Sequence, residues 1–444
     1  MSTPANVRIR DPIHGTIQLS RDEIALVDHR AFQRLRMIKQ LGFADLAFPG
    51  ATHTRYAHGL GTMHIASRMF DVLSKDYALD DADRRRLEKT VRLAAIFHDL
   101  GHAPLSHTTE RFMPPAGSLG LGDWFFGPRE RIANHEDYTL KIVTDSPLTA
   151  LLERHAAPHG VHPTDIALLV AGRAPNDAIR RRFVVNGVDW FPALRQCVSS
   201  ELDADRMDYL LRDSYFAGVP YGRYDHEWLL ENLLPVEQNG AVSLGLNARA
   251  SFGFEDYLLS RYHMFMSVYF HHVAIGYEVM LEQYHDTSDG ELALPSDIDA
   301  YLACDDVFLH GLLRSSKNPW ARRIVERRAF RMVFEAREVV GEASPNVAAP
   351  LPPAADVAAA FDAAGIDSIV HQVKGRLSKY FATGSQPPMP AKDHELYIVD
   401  EGHAFLVEAY TPLYRRYSGA VHLTRVYVDP DETERAREIL GALR

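Results

Sequence analysis

The sequence is poor in cysteine, in long apolar runs and in positive charge, and each shortage excludes a class of protein. Its 444 residues include only two cysteines, Cys197 and Cys304, too few for a disulfide framework or a cysteine-rich zinc site. No stretch reaches the ~20 apolar residues that a membrane helix needs, and the first residues are too polar for a secretory signal. A net charge of −11 argues against a general nucleic-acid coat. We therefore expect a cytoplasmic globular protein with reduced cysteines and no membrane partner.

The segment 97–107, Phe-His-Asp-Leu-Gly-His-Ala-Pro-Leu-Ser-His, has an unusual density of chemically active side chains. Apolar residues recur at helical spacing over 87–95, which predicts a half-buried helix with His98 and Asp99 at its C-terminal end. The glycine and proline that follow end this helix. A buried carboxylate is costly unless it is paired, protonated or bound to a metal. An imidazole beside it suits a divalent cation of borderline softness.

Other elements follow from turn and periodicity signals. Residues 7–19 and the Asn239-Gly240 pair predict β-hairpins. Helices are expected from Arg30 to Gly42, from Glu201 to Ser214, and as one long, nearly uninterrupted and buried helix over 256–284.

Two sets of side chains predict a reactive site. Each set combines residues of the segment 97–107 with residues from other parts of the chain. Two imidazoles and two carboxylates could close on one divalent metal and leave positions open for water, as catalytic metal sites do: His58, His98, Asp99 and Asp205. Three further imidazoles suit proton transfer and three guanidinium groups suit phosphate binding: His102, His107, His135, Arg55, Arg206 and Arg261.

Simpler interpretations exist for the single residues. His58 or His135 alone could be a hydrogen-bonded core histidine, and Asp99 alone could pair with an arginine at a helix end. Asp208 and Arg212 lie four residues apart on the predicted helix, which favours a surface ion pair. These interpretations explain each residue separately, but not the whole set together.

The ordered motifs resemble those of the HD-superfamily deoxynucleoside triphosphate triphosphohydrolases. The resemblance covers residues 7 to about 285 in the animal member of that family, and the whole chain in its bacterial relatives. The motifs that carry it are the segments 11–15 (Asp-Pro-Ile-His-Gly), 32–36 and 39–42, 48–51, 55–58 (Arg-Tyr-Ala-His), 98–107, 135–136 and 203–209 (Asp-Ala-Asp-Arg-Met-Asp-Tyr).

The resemblance implies roles for individual residues. It implies a metal on His58, His98, Asp99 and Asp205, and places His102, His107 and His135 around the α-phosphate. Because the 5′-oxygen is a poor leaving group, we expect a general acid, and His107 supported by Glu110 is the candidate. The resemblance assigns the triphosphate to Arg55, Arg206 and Arg261, and the sugar to Gln40, Leu41, Tyr209, Asp213 and Tyr269. A guanine nucleotide at a subunit interface would be read by Asp28, Gln33 and Arg36.

Three positions depart from the family pattern. Arg206 stands where the family has a lysine, Glu110 stands for an aspartate, and Phe265 replaces a histidine on the long helix. The last difference changes the surroundings of the sugar and base.

We expect a mainly α fold: an HD-domain helical core with short β-hairpins over residues 1–340, with the metal motif at 53–208. A Pro- and Ala-rich linker at 341–360 and a smaller α+β domain at 361–444 follow.

The expected activity is hydrolysis of a deoxynucleoside triphosphate to deoxynucleoside and inorganic triphosphate. The metal would be iron, manganese, zinc or nickel, with magnesium on the phosphates. A dimer or tetramer with a nucleotide effector is expected. The alternatives are an HD phosphodiesterase or nuclease acting on oligonucleotides or a signalling nucleotide, and a nucleotide-binding regulator with vestigial catalysis.

Overall fold

A computed structural model of the chain describes residues 6–339, 352–376, 395–417 and 420–443. Helices dominate these residues and the strands are short, which confirms the mainly α class. None of the helices in the described ranges combines the length and apolarity that crossing a bilayer requires.

The first part of the fold begins with a hairpin and continues with helices. Its elements are β1 (Val7–Asp11), β2 (Gly15–Leu19), α1 (Arg21–Val27), α2 (Arg30–Gln33), α3 (Arg55–Ser74), α4 (Asp81–Phe97), α5 (His135–Thr144), α6 (Pro147–His155), α7 (Pro163–Ala171) and α8 (Asp177–Arg181).

The middle part adds two small β-hairpins among further helices. Its elements are β3 (Val184–Val185), β4 (Val188–Asp189), α9 (Phe191–Val198), α10 (Ala204–Ala217), α11 (His226–Glu231), β5 (Leu233–Gln238), β6 (Ala241–Asn247), α12 (Ser251–Met264), α13 (His272–Thr287), α14 (Ile298–Tyr301), α15 (Asp306–Ser315) and α16 (Pro319–Val325).

The last part mixes strands and helices. Its elements are β7 (Arg331–Val339), α17 (Ala354–Ala363), β8 (Ser368–Arg376), β9 (Tyr397–Asp400), β10 (His403–Leu406), α18 (Val407–Tyr410), α19 (Pro412–Tyr417), β11 (Ala420–Val428) and α20 (Thr433–Leu443).

Strand pairing crosses the predicted domain boundary in both directions. β11 lies between β7 and β8 in an antiparallel sheet, although β7 precedes residue 340. β9 pairs in parallel with β6 of the middle part. Of the predicted linker, residues 341–351 lie outside the described residues, whereas α17 occupies 354–363. The division into domains therefore stays a prediction.

Helix α3 organises the part of the core that concerns the site. It packs against α4 and α10, and its buried apolar face joins theirs in one continuous core. Its first turn, the C-terminal end of α4 and the first turn of α10 meet, so side chains distant in sequence converge there.

Both predicted hairpins are confirmed, as is the helix ending beside His98, which is the C-cap residue of α4. The predicted helix from Arg30 to Gly42 is wrong beyond residue 37. Only α2 and one 3₁₀ turn (Arg34–Met37) form, because the backbone then becomes extended and pairs with the segment before α3. The helix predicted from Glu201 begins at Ala204, since the Asp203 carboxylate caps it by accepting from the Arg206 amide.

The long, nearly uninterrupted helix predicted over 256–284 is confirmed in outline, with one break that divides it into two helices. A π-helical turn (Phe265–Tyr269) follows α12, and the chain leaves the helix at Phe270 before α13 begins. The Arg425 guanidinium donates to the Phe270 carbonyl at 2.6 Å and so satisfies a backbone group at the break. π-turns of this kind occur frequently at functional sites.

Candidate active site

Three of the four predicted metal ligands lie at the junction of α3, α4 and α10. His58, His98 and Asp205 each offer an atom within 4.8 Å of the others. The His58 Nε2 lies 3.0 Å from the Asp205 Oδ1, and the His98 Nε2 lies 3.6 Å from the same oxygen. The two imidazole planes are 78° apart. Their lone pairs can therefore meet at one point from different directions.

Asp99 completes this group. One carboxylate oxygen lies 3.2 Å from the His98 Nε2 and the other lies 3.6 Å from the His58 Nε2. The second oxygen also accepts a hydrogen bond from the Arg55 Nη1 at 2.6 Å. The Arg55 guanidinium holds the pKa of Asp99 well below its ordinary value although burial opposes this shift. The carboxylate therefore stays charged.

The hydrogen-bonding of the two imidazoles fits a metal cation. The His58 Nδ1 contacts the Asp208 carboxylate at 2.7 Å, and the His98 Nδ1 donates to the Ala95 carbonyl at 2.6 Å. Each imidazole then turns its Nε2 lone pair toward carboxylates, and the buried His98 Nε2 has no hydrogen-bond partner. Atoms that can only accept converge here, and metal-binding histidines have this arrangement.

The electrostatics point the same way. Burial lowers the pKa of His58, but hydrogen bonds to Asp205 and Asp208 outweigh it and raise this pKa to about 10. The surroundings thus favour positive charge at this point. A divalent cation on neutral imidazoles satisfies that preference as a proton does.

The three other predicted imidazoles form a second group beside the first. His102, His107 and His135 also offer atoms within 4.8 Å of one another, but the His102 and His135 rings are stacked at 4.1 Å and 9°. Lone pairs in two parallel ring planes cannot both point at one ion. Proximity alone therefore does not make this group a metal site.

One carboxylate holds two of these imidazoles. Glu110 contacts the His107 Nδ1 at 2.9 Å and the His135 Nδ1 at 2.7 Å, and it accepts from the His135 amide. Burial lowers the pKa of His135, but the Glu110 charge outweighs it and raises this pKa to about 9. Burial, Arg55 and His135 instead hold the pKa of His102 well below its ordinary value. At neutral pH the His102 imidazole is therefore uncharged, whereas the His135 imidazole is protonated on both nitrogens and positively charged.

The backbone after the HD pair brings this second group into place. A Cβ on Gly101 would lie 2.0 Å from the His135 carbonyl oxygen, so only glycine allows the turn to approach α5 so closely. Leu105 and Ser106 both have positive φ (56° and 60°), a costly conformation that clusters at functional sites. The Asp306 carboxylate accepts from the Leu105 amide at 2.6 Å and holds this turn.

Both groups open into one cavity of about 520 Å³, a size usual for small-ligand sites. Other predicted residues line this cavity. Among them, Tyr269 donates to the Asp213 carboxylate at 2.8 Å, and the His53 Nε2 contacts the same carboxylate at 2.8 Å. The predicted residues on its wall are Gln40, Leu41, Arg55, His98, Asp99, His102, His107, His135, Asp205, Tyr209, Asp213, Phe265 and Tyr269.

Two predicted phosphate ligands do not reach the cavity wall. The Arg206 guanidinium contacts the Asp203 carboxylate at 2.5 Å and also the Ser200 carbonyl. The Arg261 Nη1 lies 3.1 Å from a Glu201 oxygen. Both arginines are buried, so their phosphate-binding role stays a prediction that requires these ion pairs to exchange.

Several cavity residues carry no signal in the sequence analysis. Arg195 lies on the wall and donates to the Leu169 carbonyl of α7. Thr108 and Glu278 line the same cavity, and Thr108 donates to the Glu278 carboxylate at 3.2 Å. Burial raises the pKa of Glu278 to about 7.

The predicted effector residues lie outside this cavity. Asp28 is exposed at the C-terminal end of α1, and the Gln33 side chain donates to the Val27 carbonyl at 2.9 Å. The Arg36 Nε donates to the Gln33 oxygen at 2.8 Å and its guanidinium lies 3.5 Å over the Tyr56 ring. Their role in nucleotide binding stays a prediction.

The interpretation of Asp208 and Arg212 as a surface ion pair is wrong. Neither residue is exposed, and the guanidinium donates from Nε and Nη2 to both carboxylate oxygens at 2.8 Å. The spacing placed them correctly on one helix face, but that face packs against α3 and the N-terminal hairpin instead of facing solvent.

Sequence profiles of two families match the chain: the HD domain over residues 55–210 and the HD associated region over residues 224–349. The first covers all four predicted metal ligands. A crystal structure of a hypothetical protein from Aquifex aeolicus shares the fold, with a TM-score of 0.71 at 24% identity over 98% of this chain and 100% of that one.

Curated relatives match a large part of the chain. The uncharacterized protein YwfO from Bacillus subtilis is 35% identical over 61% of this chain and 53% of its own length. The human deoxynucleoside triphosphate triphosphohydrolase SAMHD1 is 26% identical over 76% of this chain and 55% of its own length. The chain thus spans little more than half the length of these relatives.

Proposed function

We propose that the chain, whose residues 55–210 match the HD domain, is a metal-dependent phosphohydrolase that converts deoxynucleoside triphosphates to deoxynucleosides and inorganic triphosphate. One observation carries this proposal. The group fit for a metal and the imidazoles on Glu110 face the same cavity, whose wall continues to the Tyr269 and Asp213 pair. The metal group suits a phosphate, the imidazoles suit a leaving group that needs a proton, and the Tyr269 and Asp213 pair suits a sugar.

The metal would be held by His58, His98, Asp99 and Asp205. When bound, a divalent cation supplies Lewis-acid stabilisation of phosphate charge and activates water as a nucleophile. The transition metals iron, manganese, zinc and nickel fit this mixed donor set, with magnesium accompanying the phosphates. Elemental analysis of the purified protein identifies the resident ion.

The imidazoles on Glu110 would handle the proton. Water attacks the α-phosphorus, the bond to the 5′-oxygen breaks, and that oxygen needs a proton to leave as a hydroxyl. His107 is largely exposed to the cavity mouth and His135 is more enclosed, and Glu110 holds the Nδ1 of both. Their Nε2 atoms are therefore available to a substrate. We assign proton donation to His107, and charge stabilisation to His135 and Arg55.

The sugar and base would occupy the far part of the cavity. Tyr269 and Asp213 lie there with Gln40 and Leu41, and Leu41 with Tyr269 would crowd a 2′-hydroxyl. The apolar side chains of Phe265, Phe270 and Ile275 continue this wall and suit a stacked base. The arrangement favours a deoxynucleotide over a ribonucleotide.

The test is incubation with each deoxynucleoside triphosphate, followed by chromatography of nucleoside and phosphate products. We expect deoxynucleoside and inorganic triphosphate in equal amounts, and neither from the His98→Ala variant. Pyrophosphate with a monophosphate would contradict the proposed bond cleavage. Turnover of oligonucleotides or of a signalling nucleotide, with deoxynucleotides left intact, would favour the phosphodiesterase or nuclease alternative.

We further propose that a nucleotide bound between subunits of a homo-oligomer regulates this activity. The supporting observation is the exposed Asp28 carboxylate near Gln33 and Arg36, which together offer acceptors, an amide and a cation for a guanine nucleotide. An effector acts only through its differential affinity for the active state, typically ~1–3 kcal/mol.

The expected result is a several-fold rise in activity when a guanine nucleotide is added, which Asp28→Ala removes while basal turnover persists. A monomer whose activity is indifferent to every added nucleotide would contradict the regulation and leave the hydrolase proposal intact.

A further inference from the structure

We propose that Asp208 is a positioning residue that fixes the His58 imidazole for the metal and thereby sets the affinity of the centre. The proposal rests on the metal centre of the proposed function and adds a carboxylate that does not itself face the cavity. It also gives a purpose to the buried network that ties the N-terminal hairpin to α10.

The contact with His58 has the geometry that this role requires. The Asp208 Oδ2 lies 2.7 Å from the His58 Nδ1, on the side of the ring opposite Asp205. A carboxylate at Nδ1 holds the proton there, so the neutral ring presents its lone pair at Nε2. Such carboxylates orient metal-binding histidines and raise their basicity.

Both oxygens of the Asp208 carboxylate accept hydrogen bonds from other side chains. The Arg212 guanidinium donates to both of its oxygens, and the His14 Nε2 lies 2.6 Å from Oδ1. Arg212 also donates from Nη1 to the Asp11 carboxylate at 2.9 Å. With both oxygens shared among three partners, the carboxylate has no alternative rotamer that keeps these bonds. The His58 ring is correspondingly fixed.

The backbone is adapted to this network. A Cβ on Gly61 would lie 1.9 Å from the Asp208 Oδ1 and 2.5 Å from the Arg212 Nη2, so a larger residue at this position of α3 would displace both side chains. The Asp11 carboxylate accepts from the amides of Ile13 and His14, both at 2.9 Å, and so shapes the hairpin turn that presents His14. The hairpin therefore forms part of the support of the centre.

A purely structural role predicts a different outcome. A buried ion pair can exist without any effect on a nearby site, and removing one partner is then simply destabilising. Metal affinity, measured beside thermal stability in a matched control, separates the two roles. Glu23 supplies the control, because its buried carboxylate contacts the Arg92 guanidinium at 2.6 Å and touches no proposed metal ligand.

The experiment measures the Zn²⁺ affinity of the metal-stripped 444-residue chain by competition with a chromophoric chelator, with thermal midpoints recorded without metal. Asp208→Asn keeps the side-chain shape but removes the charge, and we expect roughly 10–100-fold weaker binding. His14→Gln should weaken binding less, because Arg212 still holds the carboxylate. Glu23→Gln should bind as the wild type does, even where its thermal midpoint falls as far.

His58→Ala separates failure of this inference from failure of the metal centre. If His58→Ala binds Zn²⁺ as tightly as the wild type, the centre is wrong and the positioning role falls with it. If His58→Ala loses Zn²⁺ while Asp208→Asn keeps wild-type affinity, only the positioning role is overturned. An equal loss of affinity in Glu23→Gln overturns it as well, because the loss then follows stability.

Discussion

The two histidine groups that meet in the cavity have similar compositions and different geometries. His58 and His98 stand at 78° to each other, and their Nε2 atoms both approach Asp205. His102 and His135 lie parallel at 9°, one ring above the other. In both groups the possible ligand atoms lie within 4.8 Å of one another. The distance between nitrogen atoms therefore says less about metal binding than the directions of their lone pairs.

The groups also differ in what holds the other face of each ring. A separate acceptor holds each ring of the first group, the Asp208 carboxylate for His58 and the Ala95 carbonyl for His98. One carboxylate, Glu110, holds two rings of the second group. The first arrangement directs lone pairs at a shared point, whereas the second keeps a positive charge close to Glu110. We infer that the first group binds a cation and that the second transfers protons.

The sharpest test of this comparison removes one residue from each group. His98→Ala should lose the transition metal and all measurable turnover, because an imidazole ligand is removed. His107→Ala should keep the metal, since its ring contacts Glu110 and not the first group. Elemental analysis of both variants after dialysis checks this. If His107→Ala lost the metal while His98→Ala kept it, metal binding would belong to the second group and the assignment made here would be wrong.

The second test concerns rate instead of metal content. His107→Ala should lower kcat by roughly 10²–10⁴-fold, the usual contribution of a positioned proton donor. The His107 side chain is 64% exposed, so its removal should leave the thermal midpoint nearly unchanged. Single-turnover kinetics with a deoxynucleoside triphosphate measure the effect. An unchanged rate would assign proton transfer to His135 or to water.

The third test asks whether a deoxyribose lies beyond these groups. Leu41 and Tyr269 should exclude a 2′-hydroxyl by contact, so kcat/KM for a ribonucleotide should be about 10- to 100-fold below that of its deoxy partner. Leu41→Ala should narrow this ratio. Steady-state kinetics on matched pairs measure it. Equal efficiencies in the wild type would contradict deoxy selection and favour the phosphodiesterase alternative.

Short-range sequence signals predicted the parts of the fold that local chemistry determines. The Asn239-Gly240 turn joins β5 to β6, and the apolar spacing over 87–95 lies within the helix that ends beside His98. The π-turn at Phe265–Tyr269 had no such signal, and the Phe270 carbonyl beside it is bonded to Arg425, more than 150 residues away. Tertiary contacts of this kind cannot be read from periodicity.

The same limit applied to the candidate site. Residue types and order indicated which side chains belong together, and the cavity contains most of them. They did not indicate burial: Asp208 and Arg212 have the spacing of a surface pair, yet their common face lies against α3. The sequence also did not indicate that Arg206 and Arg261 pair with carboxylates of this chain. The resemblance had assigned both guanidinium groups to the phosphates of a substrate.

The smallest expected effect concerns the pH dependence of stability in the second group. The folded-state pKa of His135 is raised to about 9 from an ordinary 6.5, because the Glu110 charge outweighs burial. A raised folded-state pKa gives stability that is fully present below pH 6.5 and is lost as the pH rises through about 9. Glu110→Gln should therefore lower the free energy of unfolding by ~1–3 kcal/mol at about pH 6, and by less above pH 9. Denaturant unfolding at both pH values measures the difference.

Glu23→Gln is the control for this pH dependence. Its partner Arg92 does not titrate between about pH 6 and pH 9, so this variant should lose the same free energy of unfolding at both pH values. A pH-independent loss in Glu110→Gln would show that the carboxylate does not hold a protonated imidazole, and the contrast between the two histidine groups would then rest on ring geometry alone.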